Sequence, residues 1–240
     1  MRGERLCRLL LGGSFLLLAG LTGVVRAQGV PALGFTPPVP GTYQLQRIQP
    51  VADGPVLDTQ GRQRRLKEFT GGRITLLAFV YSSCNDPAGC PYAYLVFNQV
   101  RDELEKDAAL KGKVGLVSLS FDPEHDTPER MAAYGGENVG AGHTVRWDFL
   151  TTASLGHLLP LLDGFGQDVM VQSDPLTGKP TGLLGHVLKV FLIDGAGMVR
   201  EIYTTAYLYP QVLVNDVRTL LLETPAPGMQ PRTRPKSASQ

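Results

Sequence analysis

Three largely apolar runs divide the chain: Ile74–Val80, Val114–Phe121 and Val187–Ile193. Each has the length of a strand and lacks the strict alternation of a half-exposed one. Each therefore predicts a strand covered on both faces. Between the first two, Tyr94, Leu95, Phe97, Val100 and Leu104 recur at helical spacing. This predicts a helix over Tyr92–Leu110, opened by Pro91, whose missing N–H costs nothing at a helix start, and ended by Gly112. Thr127 can cap a second helix with Pro128 at its first position, covering Glu129–Tyr134, and Ser154 a third over Leu155–Phe165. Gln211–Leu222 predicts a terminal helix.

Shorter extended stretches complete the pattern. Tyr43–Val56 comes first, with a turn closing at Gly61, and Arg62–Phe69 follows. Val145–Leu150 holds the one tryptophan, and Val199–Thr204 pairs back on the third apolar run. Val169–Val171 and Leu183–Leu184 flank the polar turn Ser173–Lys179 as a hairpin would. The order is β-α-β-α and then β-β-α. It predicts an α/β domain of thioredoxin-like plan: a central mixed sheet flanked by helices, with an added hairpin before His186.

The ends of the chain differ from this middle. Arg2, Arg5 and Arg8 precede an uncharged run, Leu9–Val25, and Val25-Arg-Ala27 offers a small-x-small cleavage site. Residues 1–27 thus read as a signal peptide or, if retained, a short membrane anchor. Either way the remainder is exported, periplasmic or held at the membrane facing the periplasm. Residues 28–40 read as a Pro- and Gly-rich linker, 41–222 as the folded domain and 223–240 as a disordered tail. The 23 Lys and Arg nearly balance the 22 Asp and Glu, so nothing points to nucleic acid.

Export changes how the cysteines are read. Cys7 lies before the apolar run, which leaves Cys84 and Cys90 in an oxidising compartment. A structural disulfide is the ordinary expectation there. However, the pair would staple only a small loop in a domain large enough to have its own core. The pair also sits between a buried strand and a helix start. The five intervening residues, Asn85-Asp-Pro-Ala-Gly89, favour a turn that folds the loop back. Cys90, just before Pro91, is expected at the helix N-cap, where helix-end N–H groups would favour its thiolate.

Of the four histidines, His125, His143 and His157 lie in polar, glycine-rich or amphipathic surroundings and are expected at the surface. His186 instead follows Gly182-Leu-Leu-Gly185 and is expected to open the third buried strand, beside the one that leads to the cysteines. Two thiolates and an imidazole form a soft set that suits copper(I) and can hold copper(II). Zinc is a further possibility, but it usually takes a fourth ligand, and none is evident.

These residues resemble the Sco/SenC family of thioredoxin-like copper proteins. Phe79-Val-Tyr-Ser-Ser-Cys84 with Cys90-Pro91 is similar to that family's thiol motif, and Ser120-Phe-Asp122-Pro-Glu-His-Asp-Thr-Pro-Glu129 to its aspartate-rich loop. Trp147-Asp-Phe-Leu-Thr151, and His186 with Phe191-Leu-Ile-Asp194, extend the match. The resemblance implies one copper per chain on Cys84, Cys90 and His186, with Asp122 nearby as an acid of the outer shell. It also implies a client copper or redox enzyme such as cytochrome c oxidase, supplied by an upstream copper donor or thiol reductant. The family usually has three residues between its cysteines, where this chain has five. Thiol–disulfide exchange with the client, through Cys84 and Cys90, is the competing function. A peroxiredoxin-like peroxidase ranks below both, because no suitable arginine or Thr-x-x-Cys setting is present.

Overall fold

The computed structural model describes residues 30–140 and 142–223. The expected signal or anchor at 1–27 and all but the first residue of the expected tail lie outside the described residues. Among the described residues no helix is long and apolar enough to cross a membrane.

In chain order the elements are β1 (Gln49–Pro50), β2 (Pro55–Leu57), β3 (Gln63–Arg65), α1 (Lys67–Thr70), β4 (Ile74–Val80), α2 (Cys90–Leu104) and β5 (Val114–Ser120). They continue with α3 (Pro128–Gly135), β6 (Arg146–Leu150), α4 (Leu155–Phe165), β7 (Val169–Ser173), β8 (Pro180–His186), β9 (Lys189–Ile193), β10 (Met198–Thr204) and α5 (Pro210–Leu222).

Six strands form one mixed sheet in the order β1-β10-β9-β4-β5-β6. β4, β5 and β6 run parallel, whereas β9 lies antiparallel to β4 and β10 antiparallel to β9. Every residue of β4 and β5 is buried, as expected of strands covered on both faces. Phe79, Phe165 and Phe191 meet in edge-to-face contacts with ring centroids 5.0–6.1 Å apart, which ties α4 to the sheet centre. Each such fully buried side chain contributes roughly 1.5–3 kcal/mol over its exposed state.

Several boundaries differ from the sequence reading. The expected Tyr92–Leu110 helix stops at Leu104, and a separate 3-10 turn covers Ala108–Leu110. The Asp107 side chain accepts from the Ala109 N–H and breaks the helical ladder there. Little of Tyr43–Val56 is strand. Instead, part of the expected linker packs along α5. The Gly41 N–H donates to Thr219 Oγ1, and Asn215 Nδ2 donates to the Pro38 carbonyl. The Tyr43 hydroxyl donates to buried Asp216, so partners on α5 decide the path of this stretch.

His186 is displaced from its expected place. It closes β8, paired with Val169 across a separate two-stranded hairpin, and does not open β9. Val187 and Leu188 form a short break between the two strands. The hairpin's turn is closed by Asp174, whose side chain accepts from the N–H groups of Leu176 and Thr177.

Candidate metal centre

β4 ends at Val80, whose carbonyl accepts from the Phe121 N–H at the end of neighbouring β5. The chain then leaves the sheet as the thiol loop. The Cys84 N–H donates to the Tyr81 carbonyl and makes the first turn. The five-residue spacer makes the second: Asp86 accepts from the Ala88 N–H through its side chain and from the Gly89 N–H through its carbonyl. This returns the backbone to the Cys84 sulfur. A Cβ placed on Gly89 would lie 3.3 Å from that sulfur, so only glycine lets the backbone come so near without displacing it.

Gly89 is also the N-cap of α2, its carbonyl accepting from the Tyr92 and Ala93 N–H groups. Cys90, expected at the cap, is the first residue inside the helix and is fully buried. Both thiols are free, and Cys84 is partly open to solvent.

The two sulfurs are unequal. A hydrogen bond from the Cys90 thiol, against the opposing effect of burial, lowers the Cys84 pKa to about 6. The N–H groups of Cys90 and Asp86 and the Tyr81 hydroxyl add to the same effect. Cys90 moves the opposite way, well above an ordinary thiol, because its proton is held against Cys84 and because it is buried. The expected thiolate at Cys90 is thus corrected. The helix end stabilises a negative sulfur, but the half-buried Cys84 takes that charge and its fully buried neighbour keeps the proton. Tyr81 is pushed up to about 12, first by burial and then by the charge of Cys84.

His186 lies on the same side of the fold. Its ring packs on Phe121 with centroids 4.7 Å apart and on Tyr81 at 6.4 Å. Tyr81 therefore stands between imidazole and thiol loop, with its ring toward one and its hydroxyl toward the other. Burial holds the His186 pKa below the usual range, against the pull of Asp86, so the ring is neutral at pH 7. Its Nε2 is buried with no hydrogen-bond partner among the described residues. A buried ring nitrogen without a partner costs free energy unless something binds it.

Gln167 braces the hairpin that carries His186. It is buried, and its Nε2 donates to the carbonyls of Asp168 and Val187, at both ends of the hairpin, each at 3.1 Å. Among the described residues, no three His, Cys, Asp or Glu side chains are grouped closely enough to hold a metal ion together. The structure thus brings the two cysteines together and sets His186 beside them across Tyr81, short of a closed three-ligand cage. A thiolate, a thiol and a neutral imidazole with a bare nitrogen nevertheless form a donor set that fits a soft ion.

The aspartate-rich loop places its two acids differently from one another. Asp122 pairs with exposed His125, whose Nδ1 is 2.9 Å from Oδ1. That pair raises the His125 pKa, through the hydrogen bond first and then the charge of Asp122. Asp126 is fully buried and faces the thiol loop. It accepts from the Ser82 N–H at 3.0 Å, from the Ser82 hydroxyl, and from the Ser120 hydroxyl at 2.6 Å. Asp126 belongs to the same Ser120–Glu129 motif as Asp122. The sequence carries no signal that separates the two acids. Of the remaining histidines, His143 lies beside Glu105 and His157 is exposed on α4, as expected.

The SCO1/SenC family model matches residues 55–222. The chain belongs to that family. Solved structures agree on the fold. Apo Sco1 from Thermus thermophilus is 23% identical with a TM-score of 0.59, covering 78% of this chain and 99% of that one. Arabidopsis thaliana ScoI with copper bound is 19% identical with a TM-score of 0.58, covering 71% and 97%. Yeast Sco1 with copper bound is 18% identical with a TM-score of 0.58, covering 75% and 92%. No curated protein matches the chain. The SCO1/SenC likeness bears out the thioredoxin-like α/β fold read from the sequence.

Proposed function

We propose that this SCO1/SenC protein is a copper metallochaperone. It holds one copper ion on Cys84, Cys90 and His186 and passes it by ligand exchange to a client redox enzyme. The observation that carries this reading is the buried Nε2 of His186, without a hydrogen-bond partner among the described residues and lying across Tyr81 from two free thiols. A dithiol reductant has no chemical need for that imidazole, whereas a soft metal does. Copper-bound relatives from Arabidopsis and yeast share the fold and support the choice of ion. Asp122, at the end of β5 beside Phe121, is taken as an acid at the rim of the site. Because no three donors are grouped among the described residues, one ion held on all three would require the hairpin to approach the thiol loop.

The client is an exported or membrane copper enzyme, with cytochrome c oxidase the leading choice. A Sco protein termed BsSco is described as a member of the Sco family of cytochrome c oxidase assembly proteins and carries a disulfide switch. The protein works outside the cytoplasm, held by or released from its N-terminal apolar segment.

The inequality of the two sulfurs favours a second role, thiol–disulfide exchange. The Cys84 thiolate attacks one sulfur of a client disulfide, forming a mixed disulfide and releasing one client thiolate. Cys90 then gives up its proton and attacks the Cys84 sulfur. The second client thiol leaves reduced, and Cys84 and Cys90 are left oxidised to a disulfide.

Titration of the reduced full-length chain with copper(I), in competition with a chromogenic chelator, decides between the two. One equivalent bound tightly supports the chaperone. No binding, together with a reversibly titrated dithiol, makes exchange the function.

A further inference from the structure

Asp126 is a buried carboxylate that neither binds the metal in the reading above nor reacts with a client. Removing a carboxylate from water is costly unless its oxygens are hydrogen-bonded. Here both oxygens are. One accepts the Ser82 hydroxyl, and the other accepts the Ser82 N–H and the Ser120 hydroxyl. The nearest cation, Arg130, is 3.9 Å away, and its Nε donates to Ser82 Oγ at 2.8 Å. The Ser120 hydroxyl also accepts from the Asp122 N–H at 3.0 Å.

These donors come from two places that the sheet alone does not join. Ser120 ends β5, and Ser82 lies in the loop beyond β4, two residues before Cys84. Asp126 itself directly precedes Thr127, the N-cap of α3, whose hydroxyl accepts from the Arg130 N–H. The helix therefore has its own cap, and the aspartate is left to face the loop. The turn from Tyr81 to Cys84 is closed by one backbone hydrogen bond, and Asp126 grips the residue within it.

We propose that Asp126 is a positioning residue for Cys84. By holding the backbone and hydroxyl of Ser82 against α3 and β5, it sets the direction in which the Cys84 sulfur faces His186 and the client. The proposal deepens the copper reading and rests on Cys84 as a ligand. Its geometric content applies equally to Cys84 as a nucleophile.

The test uses the full-length chain with Asp126→Asn and Ser82→Ala. The asparagine keeps the volume but turns one acceptor into a donor that faces donors. The alanine removes only a hydroxyl and keeps the N–H contact. Two readouts are taken on protein whose unfolding midpoint has been measured: copper(I) affinity against a chelator, and the alkylation rate of Cys84 in the copper-free state at one fixed pH. Expected for Asp126→Asn is a loss of copper affinity of about 10-fold or more, as for other outer-shell partners of metal ligands. A change in Cys84 alkylation rate should accompany it. Ser82→Ala should move both in the same direction by less, and decides the matter if the asparagine variant does not fold. Wild-type affinity and wild-type alkylation in the folded variants overturn the proposal. A wild-type chain that binds no copper, with both variants still shifting alkylation, sinks the copper reading and leaves the positioning role standing.

Discussion

The imidazole of His186 rests on the ring of Phe121, centroid to centroid 4.7 Å, although one ends a hairpin and the other follows a central strand. Phe121 also tilts against Tyr81 at 5.0 Å. One fully buried aromatic ring thus supports both the histidine and the tyrosine that faces the thiols. Phe121→Ala should destabilise the protein by roughly 3–5 kcal/mol, the range for emptying a buried aromatic site. It should also weaken copper(I) binding at temperatures where the variant is fully folded. Denaturant unfolding and chelator competition read the two effects separately. Unchanged copper affinity would show that His186 does not depend on this support.

The depressed pKa of Cys84 predicts selective chemistry. At pH 7 a limiting amount of iodoacetamide should label Cys84 and spare Cys90, as read by peptide mass spectrometry. The rate should rise with a midpoint near pH 6, where an ordinary thiol would begin to react only two to three units higher. Cys90→Ala removes the donated thiol hydrogen bond and should move that midpoint upward. Equal labelling of both thiols in the wild type would contradict the assignment.

The same shifts set the sign of the pH dependence of stability. Between about pH 6 and the ordinary thiol range, the unfolded chain keeps a proton on Cys84 that the folded chain has lost. Stability from this group is therefore present above the ordinary thiol range and lost as pH falls through 6. Cys90 is raised, so its contribution runs the other way and fades as pH climbs beyond the ordinary thiol range. Reduced wild type should thus gain stability over Cys84→Ser as pH rises from 6 to 9. A flat difference across that window would rule out a thiolate at Cys84.

Gln167 offers a test of the hairpin. Its Nε2 bonds to the carbonyls of Asp168 and Val187 are worth roughly 0.5–1.5 kcal/mol each. Gln167→Ala should speed amide exchange within β7 and β8 while the amides of β4 and β5 stay protected. Copper affinity should drop through looser placement of His186. Hydrogen exchange read by mass spectrometry checks the first point, and uniform exchange across hairpin and sheet would refute it.

Gly89 offers the tightest steric probe. A methyl group there would meet the Cys84 sulfur and the Asp86 carbonyl, both at 3.3 Å. Gly89→Ala should leave the fold intact but displace the sulfur by a few tenths of an ångström. The measurable outcome is a lower copper(I) affinity with an unfolding midpoint near wild type. An affinity equal to wild type would mean that the thiol loop adapts freely.

Much of this protein is set by short-range sequence. Ile74–Val80 and Val114–Ser120 are apolar enough that only a doubly covered strand accommodates them. The Thr127-Pro128 pair starts a helix by local chemistry, as does Pro91 one residue into α2. The cysteine pair, with its turn-forming spacer, and His186 are legible in the sequence as candidate metal ligands by residue type and placement. The exchange of roles between neighbours was not. Which cysteine carries the charge depends on which sulfur is buried and which receives the hydrogen bonds. Which aspartate grips the loop depends on where the end of β5 and the residue after Tyr81 meet in space. Whether His186 opens a sheet strand or closes a hairpin depends on its pairing with Val169. The grip of Asp126 on Ser82 joins residues 44 apart in the chain and exists only once β4 and β5 are paired, while the burial of Cys90 and the pairing of His186 with Val169 are set by packing that sequence periodicity does not encode.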